Sequence, residues 1–313
     1  MSIVAAVDCG TNSIRLLIAR RDDSGLVDLH REMRVVRLGE GVDATGSFTD
    51  AAVARTRAAL ADYAAIMIAH DVTAVRMVAT SATRDASNRD EFFDMTRELL
   101  GPVVAGSVAE VITGDEEARL SFAGAVGEFD AADGPFVVTD LGGGSTEVVL
   151  GRGGDVTAAY SANIGCVRLT ERVLASDPPT PDEIATARGI ARDELRRAFA
   201  AVPVAQASTW VGVAGTMTTL AALAADLATY DPDLIHRSRV SFERLREVCE
   251  QLVAMTRAER AALGPMHPGR VDVIGGGALV TLELARVLEA EAGITELVVS
   301  EHDILDGIAL SIS

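Results

Sequence analysis

Residues 136–150 read Phe-Val-Val-Thr-Asp-Leu-Gly-Gly-Gly-Ser-Thr-Glu-Val-Val-Leu, an apolar run, a glycine turn and a second apolar run. This order predicts two strands joined by a tight turn, with Asp140 before the glycines and Glu147 after them. Glycine lets a ligand approach the backbone, and successive N–H groups in such a turn bind anions. Carboxylates can hold Mg²⁺ beside a phosphate. The stretch therefore predicts either a phosphate-binding turn with a metal or a plain hairpin with two solvated acids.

The same pattern occurs at the start of the chain. A strand predicted at residues 3–7 leads into Asp8-Cys-Gly-Thr-Asn-Ser13, and a second apolar run follows. Asp8 matches Asp140, an offset of 132 residues, and a weaker match aligns residues 78–83 with residues 211–216 at an offset of 133. Two matches in the same order indicate two copies of one fold. The alternative is chance alignment of small residues in a chain rich in alanine and glycine.

The length and composition favour two α/β domains. The chain has 313 residues, enough for two domains of about 150 residues each. Apolar residues make up 49% of the chain and aromatic residues only 4%, so Ala, Val, Leu and Ile must fill the cores. The polar segment 130–135 is the best boundary. The predicted domains are residues 1–127 and 128–300, and a helix within residues 301–313 is expected to pack back on the first domain.

The apolar pattern predicts alternating strands and helices in both halves. Strands are predicted at residues 3–7, 14–20, 26–38, 72–79, 108–113, 136–140, 146–151, 155–163, 209–213, 271–274 and 296–300. Helices are predicted at residues 50–69, 88–100, 115–126, 181–200 and 218–228, after Ser241 and from about residue 303. Thr180 and Thr256 each begin a predicted capping box, because a glutamate follows three residues later.

The charge excludes several classes of protein. The net charge is −18, which argues against nucleic-acid binding, since that requires a basic face. All 28 basic residues are arginine, which excludes a Walker A lysine and a Schiff-base lysine. No apolar run is long enough to cross a membrane, and the first residues lack the basic region of a secretory signal. The three cysteines form neither a disulfide framework nor a zinc pattern, so we expect a cytoplasmic protein.

Four glycine- or hydroxyl-rich turns follow predicted strands, at residues 8–13, 140–145, 212–216 and 275–277. Two facing hairpins would donate N–H groups to one phosphate, and a helix N-terminus at the third turn would add to them. The threonines of the third turn could instead simply cap that helix. The candidate phosphate-binding residues are Gly10, Thr11, Asn12, Ser13, Gly142, Gly143, Gly144, Ser145, Gly215 and Thr216.

A few charged residues add to these turns. Arg84 follows a predicted strand, where a guanidinium could bind phosphate, and Arg168 is a weaker candidate of the same kind. His236 is more typical of a loop histidine than of a catalyst. Glu116 and Glu117 open a predicted helix, where acids complement the helix dipole, or one of them orients a water molecule. Their position alone does not choose between the two.

Six motifs, taken together, resemble those of the exopolyphosphatase / guanosine pentaphosphate phosphohydrolase (Ppx/GppA) family. They follow one another in the family's order and cover nearly the whole chain. The motifs are Asp8-x-Gly-Thr-Asn-Ser-x-Arg15, Ala79-Thr-Ser-Ala-Thr-Arg-Asp-Ala-Ser-Asn88, Gly114-Asp-Glu-Glu-Ala-Arg-Leu120, Asp140-Leu-Gly-Gly-Gly-Ser-Thr-Glu147, Gly165-Cys-Val-Arg-Leu169 and Gly215-Thr-Met-Thr-Thr219.

The resemblance implies two ribonuclease-H-like (actin-like) α/β domains, with mixed sheets flanked by helices and an active site in the cleft between them. It implies Mg²⁺-dependent hydrolysis (Mn²⁺ being the alternative metal) of a terminal phosphate from polyphosphate or pppGpp, and a homodimer. Glu117 resembles the catalytic base, and Arg84 resembles the arginine that grips the scissile phosphate. Asp140 and Glu147 resemble the metal-binding acids, and Asp8, the counterpart of Asp140, joins them.

The chain also departs from the family. It resembles a short form without the further helical domains that hold long polymer. Leu305-Asp306 stands where the family commonly has Arg-Glu, so one basic phosphate contact is absent. We therefore expect an exopolyphosphatase that prefers short chains, with pppGpp hydrolysis as the alternative. From other classes, we consider an actin-like kinase and a non-catalytic polyphosphate or nucleotide sensor.

Overall fold

The computed structural model describes residues 2–22 and 25–312. It divides the chain into two compact units, one made of Met1–Gly124 with Ile304–Ser313 and one of Ala125–Asp303. The first boundary between the units follows residue 124, three residues before the predicted boundary after residue 127. The second boundary follows residue 303, three residues after the predicted boundary at residue 300. Met1 and Ser313, which the predicted first domain includes, lie outside the described residues.

The first unit is built on a five-stranded mixed sheet of order β3-β2-β1-β4-β5. The first three strands are antiparallel, and β4 and β5 continue the sheet in parallel, which is the predicted ribonuclease-H-like arrangement. The strands are β1 (Ser2–Cys9), β2 (Ser13–Asp22), β3 (Gly25–Val35), β4 (Ala74–Ala79) and β5 (Glu110–Val111). The helices are α1 (Val42–Thr45), α2 (Asp50–Ala69), α3 (Ser81–Asp85), α4 (Arg89–Leu100) and α5 (Gly114–Val126).

The second unit repeats this plan with a six-stranded sheet of order β10-β11-β9-β6-β7-β8. Its strands are β6 (Phe136–Leu141), β7 (Thr146–Arg152), β8 (Asp155–Ala162), β9 (Thr209–Val213), β10 (Arg239–Ser241) and β11 (Glu296–Val299). Its helices are α6 (Cys166–Val173), α7 (Pro181–Ala201), α8 (Ala214–Ala224), α9 (Pro232–Ile235), α10 (Phe242–Ala254), α11 (Arg257–Ala261) and α12 (Ile274–Ala292). The final helix, α13 (Ile304–Ser311), packs on β1, β2 and β4 of the first unit.

Helices cover both faces of the sheet in the first unit, which explains its continuous apolar strands. Along β1, Ala5 and Val7 belong to the core that contains α2 and α4, whereas Val4 and Ala6 belong to the core that contains α13. None of the helices in the described part of the chain is long and apolar enough to cross a membrane.

The internal repeat is confirmed in three dimensions. In each hairpin the aspartate of the first strand lies opposite a residue of the second strand at the same place in the repeat. Asp8 lies beside Arg15, and Asp140 lies beside Glu147. In both units the first strand of the hairpin also pairs with a parallel strand, β4 in the first unit and β9 in the second. The alignment of these two parallel strands predicted from sequence is wrong by two residues. Asp8 pairs with Val78 and Asp140 with Val213, whereas the sequence match had aligned Val78 with Val211. A shift of two keeps the same face of the strand, so the burial pattern alone could not detect it.

The capping boxes at Thr180 and Thr256 are confirmed, and the main errors lie around the last glycine cluster. No strand occupies residues 271–274, because α12 begins at Ile274 and includes Gly275, Gly276 and Gly277. These glycines therefore form a helix turn and not a strand-to-turn junction. A Cβ on Gly276 would lie 2.5 Å from Thr170 Oγ1, and one on Gly277 would lie 2.7 Å from Thr216. Glycine is used here for close helix packing.

Smaller differences between the predicted and the observed elements occur in both units. Helix α8 begins at Ala214 and ends at Ala224, four residues earlier at each end than the predicted 218–228. Strands β3 and β5 are shorter than predicted, and α6 was not predicted at all. Leu305, where the resemblance implies an arginine, is a buried residue of α13 that packs in the core of the first unit. The next residue, Asp306, accepts a hydrogen bond from Arg31 Nη1 at 3.2 Å.

We predict that Gly307→Ala destabilises the protein by about 2 kcal/mol or more, because overpacking against a fixed backbone is costly. A Cβ at Gly307 would lie 1.9 Å from the carbonyl oxygen of Leu120. The matched control is Gly189→Ala within α7, where a Cβ meets no atom within 4 Å. That change should stabilise the protein by about 0.5–1 kcal/mol through helix propensity. Urea unfolding of both variants is the measurement, and equal shifts would contradict the packing argument.

A second prediction concerns Glu283, whose side chain is fully buried among three arginines. Burial alone would raise its pKa, but hydrogen bonds from Arg192, Arg188 and Arg286 outweigh burial and lower the pKa to about 2. We expect Glu283→Gln to cost roughly 3 kcal/mol of unfolding free energy at neutral pH.

The pH dependence of that cost follows from the sign of the shift. Because the folded pKa is depressed, the contribution is complete above the ordinary pKa of about 4.5 and is lost as pH falls towards 2. The difference in unfolding free energy between wild type and Glu283→Gln should stay constant from pH 8 to about 5 and narrow below. Glu289→Gln, an exposed acid on the same helix, is the control and should change stability by less than about 0.5 kcal/mol.

Candidate functional site

The turn between β1 and β2 has its carbonyl groups tied into the first unit. Asn12 O accepts hydrogen bonds from Val36 N and Arg37 N at 3.0 and 2.8 Å, and Thr11 O accepts one from Gly39 N at 2.9 Å. In a trans peptide the N–H points opposite to the preceding carbonyl. The N–H groups of Asn12 and Ser13 therefore point away from the segment that holds the turn, in the direction from which an anion would approach.

The turn between β6 and β7 is held in the same way by α6. Gly142 O accepts a hydrogen bond from Cys166 N at 3.0 Å, and Gly143 O accepts bonds from Val167 N and Arg168 N at 2.9 and 3.0 Å. The carbonyls thus cap the helix, and the N–H groups of Gly143 and Gly144 point away from it.

This contact explains Gly165, which precedes α6. A Cβ at Gly165 would lie 2.4 Å from Gly143 O, so only glycine permits this approach. The backbone of the first turn of α6 thereby fixes the glycine turn. Arg168, a weaker candidate from sequence, lies in that helical turn with 8% of its surface exposed.

Asp8 is paired with an arginine in the first unit. Arg15 donates from Nε at 3.0 Å and from Nη2 at 2.7 Å to the same oxygen, Oδ2 of Asp8. Asp8 is buried, and the two residues lie opposite each other on β1 and β2. The pair neutralises the carboxylate and fixes the direction of the guanidinium.

Arg84 and Glu117 lie together in the first unit. Arg84, in α3 just after β4, donates from Nη1 to Glu117 Oε2 at 2.6 Å and to Ile112 O at 3.1 Å. Glu117 is buried, with 7% of its surface exposed, in the first turn of α5. Among the residues that the structure describes, none accepts a hydrogen bond from Nε or Nη2 of Arg84. Those donors form the fork that binds phosphate oxygens in a bidentate manner.

The structure separates the two glutamates that sequence position alone left open. Glu116 accepts a hydrogen bond from Arg76 Nη2 at 2.6 Å, and almost half of its side chain is exposed. Glu117, in contrast, lies against Arg84 and is buried. Of the two, only Glu117 lies beside a candidate phosphate-binding group.

Asp140 and Glu147 are cross-strand neighbours in the second unit. They form one pair in the register of β6 and β7, so their side chains lie on the same face, and both are buried. Ser161 Oγ donates to Glu147 Oε1 at 2.7 Å. Two buried carboxylates side by side supply the hard oxygen ligands that a divalent cation prefers. The donor set therefore fits Mg²⁺ or Mn²⁺.

Arg270 stands beside the third turn and was not identified from sequence. Its guanidinium lies against Gly215, where a Cβ would meet Nη2 at 2.3 Å, and Nη1 donates to Thr219 Oγ1 at 3.1 Å. Ala214, the first residue of α8, has a φ of 70°, a strained value often found at functional sites. Arg270 lies far along the chain from Gly215, and no local pattern links them.

His236 lies in a cluster with Glu128 and His302 in the second unit, and the ring centroids of the two histidines are 4.8 Å apart. His236 Nε2 lies 2.9 Å from Glu128 Oε2, and Glu301 N donates to His236 Nδ1 at 3.2 Å. The backbone donor leaves the proton of the neutral ring on Nε2, which points to Glu128. Desolvation lowers the pKa of His236 and so favours this neutral ring. His236 therefore links the side chain of Glu128 to the backbone at Glu301.

The model of the Ppx/GppA phosphatase family matches residues 17–312. The chain is 62% identical over 317 aligned positions to Exopolyphosphatase 2 of Mycobacterium tuberculosis, and the match covers 99% of this chain and 98% of that protein.

Two solved structures are similar over nearly their whole length. One is described as an exopolyphosphatase-like protein, with a TM-score of 0.93, 44% identity and coverage of 99% and 98% of the two chains. The other is a PPX-GPPA enzyme of Aquifex aeolicus, with a TM-score of 0.80, 32% identity and coverage of 99% of each chain. The predicted fold class is confirmed, and the chain belongs to the Ppx/GppA phosphatase family.

Proposed function

We propose that the protein is an exopolyphosphatase, which hydrolyses the terminal phosphoanhydride bond of inorganic polyphosphate and releases phosphate. The observation that carries this proposal is the buried Glu117 held against Arg84, with two nitrogens of Arg84 left for a phosphate group. A relative that is 62% identical over almost the whole chain bears the name Exopolyphosphatase 2, which supports the same substrate.

In this mechanism Glu117 acts as the general base. Its carboxylate orients a water molecule and takes a proton from it as the oxygen bonds to the terminal phosphorus. The bond from that phosphorus to the bridging oxygen breaks, and the shortened chain leaves with the bridging oxygen. Arg84 binds oxygens of the terminal phosphate and stabilises the charge of the transition state. Since attack needs mainly positioning, the hydrogen bond from Arg84 to Glu117 also fixes the base.

The backbone of each glycine turn offers hydrogen-bond donors to phosphate oxygens within its own unit. In the first unit these donors are the N–H groups of Asn12 and Ser13, and in the second unit those of Gly143 and Gly144. Arg270 beside Gly215 adds a cation at the third turn. With no lysine in the chain, arginine and backbone N–H groups must bind the polyanion.

We further propose that Asp140 and Glu147 hold the magnesium ion. When bound, the ion neutralises charge on the phosphate oxygens. Ser161, through its hydrogen bond to Glu147 Oε1, fixes one carboxylate in place. Asp8 is the weaker ligand, because Arg15 already neutralises one of its oxygens.

We also propose a reducing, cytoplasmic setting. Cys9, Cys166 and Cys249 are all buried and unbonded, and burial raises the pKa of each thiol. Such thiols are inert packing groups, and the fold needs no disulfide.

Glu117→Gln should lower the turnover number for phosphate release from short-chain polyphosphate by at least about 100-fold, because a positioned general base contributes this much or more. Glu116→Gln, the matched neighbour that pairs with Arg76, should stay within about twofold of wild type, because Glu116 is exposed and away from Arg84. Phosphate release should be measured with short polyphosphate, long polyphosphate, pppGpp and ATP. If neither polyphosphate yields phosphate with Mg²⁺ or Mn²⁺ while pppGpp does, the guanosine nucleotide is the substrate.

Removal of divalent metal should abolish phosphate release, and added Mg²⁺ should restore it. Glu147→Gln should raise the Mg²⁺ concentration for half-maximal activity by about tenfold or more, since one charged ligand is lost. Glu296→Gln, a partly exposed acid of the same unit that is paired with Arg239, is the control and should leave that concentration unchanged. Full activity of the wild type in excess chelator would refute the metal assignment.

A further inference from the structure

Helices α7 and α12 of the second unit border a cavity of about 410 Å³. Its polar lining comes from Arg192, Arg196, Arg286, Glu291 and the buried Glu283, and its apolar wall includes Phe199. None of the glycine turns and none of the candidate catalytic residues lines it. The cavity is within the size range of small-molecule sites and is separate from the motifs of the proposed reaction.

Glu283 collects three arginines at this place. Arg188 Nε donates to Oε1 at 2.8 Å, and Arg286 Nε donates to Oε2 at 2.9 Å. Arg192 donates from Nε to Oε2 at 3.1 Å and from Nη2 to Oε1 at 3.2 Å. These four hydrogen bonds fill the acceptor capacity of a carboxylate.

The remaining donors of these guanidinium groups point elsewhere. Arg188 and Arg286 each engage Glu283 through Nε alone, which leaves both of their Nη groups. Among the residues described in the structure, none accepts a hydrogen bond from those Nη groups. Their side chains are 38% and 49% exposed, so a ligand from solution can reach them. A buried carboxylate has thus oriented guanidinium groups whose outer donors face solvent.

The local charge is the opposite of that of the whole protein. Three guanidinium groups surround one carboxylate, and Arg196 adds a fourth cation, which is itself paired with Asp193 on the same helix. The three arginines Arg188, Arg192 and Arg286 outnumber the two acids Glu283 and Glu291, which leaves a surplus of one positive charge in a chain of net charge −18. A link between two helices does not need this surplus, because one arginine would already neutralise Glu283.

We propose that this cavity is a second anion site, which binds an oligophosphate group away from the catalytic motifs. Adjacent phosphates match several guanidinium groups held side by side, and arginine is the residue best suited to them. The group could come from an inorganic oligophosphate or from a nucleoside triphosphate. In the second case the base would lie on Phe199 and the apolar wall. Binding here requires no hydrolysis, so the proposal stands independently of the proposed activity.

The test uses the full chain with Glu117→Gln, to prevent hydrolysis, and Phe199→Trp as a reporter in the cavity wall. The single natural tryptophan, Trp210, is fully buried and gives a constant background. Titration with inorganic tripolyphosphate and, separately, with ATP should each give a saturable change in fluorescence if only phosphates are recognised. A dissociation constant at least about tenfold lower for ATP than for tripolyphosphate would assign the site to nucleotides.

Charge-removing variants make the test specific. Arg192→Gln should weaken binding about tenfold, since the positive charge and the remaining donor of Arg192, Nη1, are lost. Arg196→Gln should weaken it about threefold and leaves the bonds to Glu283 intact, so it also serves if Arg192→Gln fails to fold. Arg197→Gln, on the same helix but paired with Glu194 and outside the cavity, should have no effect.

Three results would overturn the proposal. The first is no saturable change with either ligand up to millimolar concentration, confirmed by unchanged arginine Nε–H resonances in the protein with the natural Phe199. The second is an affinity that is the same in Arg192→Gln, in Arg196→Gln and in the control Arg197→Gln. The third is binding that is equally weakened by all three variants, which would indicate general charge attraction and no built site.

Discussion

The carbonyl groups of the two glycine turns are hydrogen-bonded into their own units, and the proposed binding of phosphate by these turns depends on this constraint. In the first unit residues 36–39 hold the turn, and in the second unit the start of α6 holds it. Each trans peptide plane then directs its N–H outward. Gly165 makes the second case possible, because any side chain there would collide with Gly143 O. A chain without lysine depends on such backbone donors to bind a polyanion.

The same hairpin occurs in both units, and the two copies differ in charge. At equivalent places opposite the aspartate, the first hairpin has Arg15 and the second has Glu147. The first therefore forms an ion pair, whereas the second brings two carboxylates together. The difference between Arg15 and Glu147 at this shared position thus gives the first hairpin an ion pair and makes the second hairpin a candidate metal site.

Arginine and glutamate are combined in two contrasting ways in this protein. At Glu117 the acid accepts a hydrogen bond from Nη1 of Arg84, and among the described residues none accepts one from Nε or Nη2 of that arginine. At Glu283 three arginines saturate a fully buried acid, whose role is then to orient them. The first arrangement suits a base that must exchange a proton, and the second suits a permanent charge pattern.

The sequence by itself determined the architecture and the location of the main motifs. The hairpins, the internal repeat, the capping boxes and the fold class follow from local periodicity and from glycine positions, and such short-range signals are present in the chain. The resemblance of six successive motifs also placed the chain in its family.

Tertiary structure alone decided which residues meet. Neighbouring glutamates look alike in sequence, but packing buries Glu117 against Arg84 and exposes Glu116 beside Arg76. Arg270 reaches Gly215 only through folding, and the glycines at residues 275–277 proved to be helix contacts because α6 and α8 pack directly on them. The physical reason is that contacts between distant segments depend on side-chain packing in three dimensions, about which local propensity contains no information.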